Sequence, residues 1–120
     1  MNSQAYEKES HKLSMYTGEL FNFLDRLKGE LQLSSWEEQT GKQTKDSIDD
    51  VKAIFIKAER QVQQQNASMD LLYRMDQQMH AVAEAFAYDP TIVSMLDNIK
   101  KSLHNLYYFS QEDEEEGEDE

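Results

Sequence analysis

Apolar residues return along this chain at helical spacing, broken at two places. The first stripe runs through Leu13, Tyr16, Leu20, Leu24, Leu27 and Leu31, stepping by threes and fours. That is the rhythm of a helix that buries one face. It predicts a first helix from about Gln4 to Leu33, with Phe21 and Phe23 widening the stripe. Gly18 and Gly29 lie inside it. Each weakens the helix by up to ~1 kcal/mol relative to alanine, and neither needs to be more than a surface residue. The segment Leu33-Ser34-Ser35-Trp36-Glu37-Glu38 interrupts the pattern. Ser34 and Ser35 can each cap a new helix. Each has a glutamate three residues on, which makes a capping box.

The second stripe is long. Ile48, Val51, Phe55, Ala58, Val62, Gln65, Met69, Leu72, Met79, Ala83 and Phe86 keep a seven-residue rhythm, and neither proline nor glycine interrupts Lys42 to Ala87. The pattern favours one continuous helix, about 75 Å long at 1.5 Å per residue. Its weak point is Gln63 to Ser68, where no apolar side chain exceeds alanine and Asn66 or Ser68 can end one helix and cap another. Asp89-Pro90 closes the stretch, because aspartate caps well and proline fits the first helical position. A third helix follows on Ile92, Leu96, Ile99, Leu103 and Leu106, ending near Phe109.

The fold class read from this pattern is all-α. It comprises an antiparallel helical hairpin with a long second helix plus a third C-terminal helix, making a three- or four-helix bundle. Ile54, Met75, Val82, Val93, Met95, Tyr107 and Tyr108 fall off the main seams. A thin hairpin would bury them poorly, so the chain must either fold more compactly or pair with itself or a partner.

Charge adds a division. The net charge is −12. Eight of the acidic residues lie in Glu112 to Glu120, and the remaining chain carries only −4. The expected organisation is a helical domain over residues 1–110 and a disordered, self-repelling acidic tail over 111–120. No basic stripe offers phosphate neutralisation, so direct nucleic-acid binding is not expected. The chain has no cysteine, which excludes thiol catalysis, disulfides and thiolate metal sites. Met1 to Ser10 lacks an apolar run and no 18-residue apolar stretch occurs, so neither a Sec-type signal peptide nor membrane insertion is expected. Localisation is read as cytoplasmic, with export open only by a route that needs no such signal.

Catalytic patterns are missing. There is no glycine-rich phosphate loop, nucleophile elbow or cysteine–histidine pair. Asp76, His80 and Glu84 can share a helix face that His104 could approach, but bundle metal sites use Glu-x-x-His pairs, which do not occur here. The reading is therefore non-enzymatic, with no cofactor, no metal and no small-molecule substrate. Met69, Met75, Met79 and Met95 suit core packing or, less directly, an adaptable partner groove.

A helix of about 30 residues, a tight turn carrying Trp36 and a second amphipathic helix together resemble the WXG-type helical-hairpin proteins of bacterial type VII secretion. The matching turn is Leu33-Ser34-Ser35-Trp36. The family's turn glycine is replaced by Glu38. Phe109-Ser110-Gln111-Glu112-Asp113 fits the family's aromatic-x-x-x-acid export pattern. The resemblance implies a partner or chaperone protein that pairs side by side with a helical protein, as a hetero-oligomer or a homodimer. The implied partner-binding residues are Trp36, Leu20, Leu24, Leu27, Phe55, Phe109 and Asp113. Other readings are an acidic phage-type inhibitor or nucleic-acid mimic, an export chaperone of another secretion system, and a plain coiled-coil dimer.

Overall fold

In the computed structural model the chain is helical throughout its described elements. The structure describes the backbone of residues 3–33, 38–86 and 88–119, and the side chains of 4–27, 29, 48–86 and 88–111. There are four helices and no strand among these residues. They are α1 (Ser3–Leu33), α2 (Glu38–Gln63), α3 (Met69–Ala85) and α4 (Pro90–Asp119). The Ser34 to Glu37 turn expected to carry the capping box and Trp36 lies outside the described backbone.

The expected long second helix is two helices. α2 ends in a Schellman turn: the Asn66 N–H donates to the Gln61 carbonyl (2.9 Å) and the Gln65 N–H to Val62 (2.9 Å). Gln65 closes it with φ 60°, a left-handed conformation that a non-glycine residue adopts at a cost. Ser68 then starts α3, its hydroxyl accepting from the Leu71 N–H at 3.1 Å. The heptad rhythm runs through this break because both helices bury their stripes in the same core. Periodicity alone therefore could not reveal the turn. At the next turn Asp89 caps α4 as predicted, its carboxylate accepting from the Thr91 N–H at 2.9 Å. α4 runs on to Asp119, past Phe109, where the sequence predicts its end. No glycine or proline intervenes before Gly117, and glutamate has strong intrinsic helix propensity.

The stripes meet in one core. Leu13, Leu20, Leu24, Ile48, Phe55, Val62, Ile92, Ile99, Leu103 and Leu106 are each almost wholly withdrawn from solvent. Antiparallel courses follow from cross-contacts. The Tyr6 hydroxyl donates to the Val62 carbonyl at 2.6 Å, while Lys52 pairs with Asp25 at 2.8 Å farther along α1 and α2. α1 is the central element, packed most heavily on α4 and α2; α3 packs on α4 and only lightly on α2. Met75 and Val82, off the seams in sequence, are covered by this folding-back of α3. Gly18 and Gly29 have open space where a Cβ would stand, so neither serves a close helix approach.

Candidate functional site

Of the residues that sequence reasoning singled out, five have described side chains: Leu20, Leu24, Leu27, Phe55 and Phe109. Leu20, Leu24 and Phe55 are interior, at 0%, 0% and 1% exposure. In this fold they hold helices of the same chain together and present nothing outward. Leu27 and Phe109 are partly buried against the same core. Phe109 also meets Tyr108 edge-on, with ring centroids 6.1 Å apart. Asp113 lies on the last turns of α4 with its side chain outside the described set, and Trp36 lies outside it altogether.

Asp76, His80 and Glu84 do not gather into a metal site with His104; no cluster of metal-ligating side chains occurs among the described residues. Asp76 is taken instead by Lys100, at 2.8 Å across the α3–α4 seam. The hydrogen bond and charge of Asp76 hold the Lys100 ammonium above its ordinary pKa.

Polar groups inside the seams have partners and read as structural. Glu9, buried where α1 meets α4, accepts from the Ser102 hydroxyl at 2.8 Å and from Asn105 at 3.4 Å. Thr17 hydrogen-bonds the Glu59 carboxylate across α1 and α2. Such satisfied contacts fix the register of packed helices.

The feature open to another molecule is on α3 and its border with α4. Large hydrophobic side chains with high exposure are Met15, Ile56, Met69, Tyr73, Tyr88, Val93 and Tyr108. Four of these, Met69, Tyr73, Tyr88 and Val93, belong to α3, the turn after it, or the adjoining start of α4. On α3 the exposed residues Met69, Tyr73, Asp76 and His80 are spaced 4, 3, 4. That is the spacing of a packed helical seam, and it lies outside the seam formed by Leu72, Met75, Met79 and Val82, which is buried. α3 is thus amphipathic toward its own core and carries a second stripe toward solvent.

Beside the stripe an open groove of about 610 Å³ runs between α3 and α4, with Met79, Ala83 and Leu96 among its lining residues and Val93 on its wall. Tyr88 stands beside His80, one of the groove's lining residues. Its φ is 55°, an uncommon conformation for a bulky residue, and its ring meets His80 edge-on at 6.4 Å. The Tyr73 hydroxyl accepts from Gln77 Nε2 at 3.0 Å, which orients the ring along the helix. The charges here neutralise one another: Asp70 with Arg74 (2.8 Å), Asp76 with Lys100 (2.8 Å) and Asp97 with Lys101 (3.0 Å). Sequence reasoning assigned Val93 to surplus apolar surface and Met69 to the second helix's main stripe. It missed the exposed stripe because its period matches that of the buried one. No helix of the described chain is long and apolar enough to cross a membrane. No family model, curated protein or solved structure matches the chain.

Proposed function

We propose that the chain is a non-enzymatic helical partner protein, which pairs with another helical protein as a targeting or chaperone subunit, in the manner of the partner proteins of type VII secretion. The observation that carries this reading is the exposed Met69-Tyr73-His80 stripe with Tyr88 and Val93 beside it. Aromatic and methionine side chains concentrated on one face, with local charges already paired, have the composition of a protein-binding surface rather than of an ordinary solvated helix. The docking surface in this reading is the α3–α4 face of a four-helix bundle. It is not the α1–α2 hairpin seam of the resemblance, because Leu20, Leu24 and Phe55 of that seam are buried within the chain's own core.

The test is co-purification from the source organism, comparing the native chain with Tyr73→Glu. Recovery of a defined helical protein by the native chain and its loss from the variant supports the reading. Equal recovery by both, with the variant folded, overturns the assignment of the face.

A further inference from the structure

We infer that the groove between α2 and α3 takes a partner helix of acidic character, one whose apolar seam is flanked on both sides by aspartate or glutamate. The inference goes beyond the reading above, because this groove lies on the α2 side of α3 and does not include the Met69-Tyr73-His80 stripe.

The groove exists because α3 packs only lightly on α2. Its volume is about 220 Å³ and its floor is apolar: Ala58, Leu71 and Met75 are buried and Ile54 is half-buried. Sites that enclose a small molecule measure about 300–1,000 Å³. A smaller, open trough between two helices instead seats the side chains of a helix laid along it.

The rims give the partner its character. Lys57 of α2 and Arg74 of α3 line the groove, with Gln61 one turn beyond Lys57 and Gln78 one turn beyond Arg74. The two helices run in opposite directions from the turn that joins them. Lys57 is six residues before the end of α2 at Gln63, and Arg74 is five residues after the start of α3 at Met69. The two cations therefore stand at one level on opposite sides of an apolar floor. Charges in such flanking positions select the partner in coiled coils, where residues beside the apolar seam pair across helices.

No carboxylate lines this groove, whereas Asp76 and Asp97 line the α3–α4 groove and Glu7 and Glu59 line the one between α1 and α2. Lys57 has no ion pair among the described residues. Arg74 meets Asp70 at 2.8 Å, but both side chains are exposed. An ion pair in that setting contributes little, so Arg74 can turn to a carboxylate that a partner brings. The groove is thus locally cationic in a chain of net charge −12. The field of the whole chain favours basic molecules, and the groove favours the opposite sign. That contrast makes the inference testable.

The experiment titrates the full, isotopically labelled chain with two synthetic helices of about three heptads each, followed by amide chemical shifts. Both carry leucine at the seam positions; one has glutamate at every flanking position and the other lysine. Saturable shifts at Gln61 and Gln78 are expected with the glutamate helix. Read at those amides, it should bind about tenfold more tightly than the lysine helix, since two ion pairs are exchanged for two like-charge contacts. The lysine helix should perturb the acidic end of α4 instead. The double variant Lys57→Glu/Arg74→Glu should reverse the preference at the groove, with circular dichroism unchanged because both side chains are exposed. A glutamate helix that leaves Gln61 and Gln78 unmoved at millimolar concentration overturns the inference. So does a preference for the lysine helix at those amides, or a double variant that keeps the native preference. The two readings fail separately. If Tyr73→Glu abolishes co-purification while the glutamate helix leaves the groove unmoved, this inference alone falls. If the groove responds as expected while Tyr73→Glu changes nothing, the α3–α4 assignment alone falls.

Discussion

Phe55→Ala separates two roles for one residue. If Phe55 contacts a partner, as the hairpin resemblance implies, truncation weakens a complex and spares the free chain. If it is core, as its 1% exposure requires, truncation destabilises the free chain. The ring sits where all four helices converge, beside Leu13 of α1, Ala58 of α2, Met75 of α3, and Ile99 and Leu103 of α4. No space large enough for a water molecule remains there, so the deleted ring leaves a cavity that the surroundings can only partly close. A Phe→Ala change at such a site costs about 3–5 kcal/mol, set against a total stability of roughly 5–15 kcal/mol for a domain. At about 3–6 °C per kcal/mol for a chain of this size, the thermal midpoint should fall by roughly 10–30 °C. Phe55→Leu, which keeps most of the volume, should cost less than about 1.5 kcal/mol. Urea unfolding followed by far-UV circular dichroism reads both values. A Phe55→Ala loss below about 1 kcal/mol, within the range of ordinary substitutions, would refute the core assignment.

Three further outcomes follow from local geometry. Gln65→Gly should stabilise the chain by about 0.5–1 kcal/mol in the same denaturation assay, since glycine adopts φ 60° without the side-chain penalty; a loss of stability would mean that α2 does not end in this turn. Gly18→Ala should raise stability by up to about 1 kcal/mol, because the position is mid-helix with open space around the new methyl, and a melting point that falls would show an unseen close contact. Burial raises the Tyr6 hydroxyl above its ordinary pKa, so the neutral phenol favours the folded state. Its contribution is fully present below the unfolded value of about 10 and is lost as pH rises through the folded value. Tyr6→Phe should cost about 1 kcal/mol at neutral pH by removing the bond to Val62, and the gap between variant and native chain should narrow above pH ~10; a gap that widens would contradict the sign.

The helical class and the core were legible because apolar spacing reports directly on which faces are buried. Leu13, Leu20, Leu24, Ile48, Phe55, Val62, Ile92, Ile99, Leu103 and Leu106 all stand on predicted stripes and all are interior. The turn at Gln65 was legible only as a weak point. A left-handed glutamine carries no signal of the kind a glycine would give, and Ser68 is as common on a helix surface as at its cap. The division of α2 from α3 decides the rest. It lets α3 fold back to cover Met75 and Val82, two of the residues that a thin hairpin would have buried poorly. What remains exposed is the Met69-Tyr73-His80 stripe. Helical periodicity cannot distinguish a stripe turned inward from one turned outward. That depends on how α3 is rotated against α4, and the Asp76–Lys100 contact records that rotation.

Hydroxyl-radical footprinting of the free chain and of the co-purified complex tests most directly whether the α3–α4 face is the docking surface. Methionine and tyrosine are readily oxidised, so the residues in question are their own probes. Met69, Tyr73 and Tyr88 should be oxidised freely in the free chain and lose reactivity together in the complex, while Met15, 65% exposed on α1, stays reactive. Protection of Met15, with Met69 and Tyr73 still freely oxidised, would put the interface elsewhere and contradict the account.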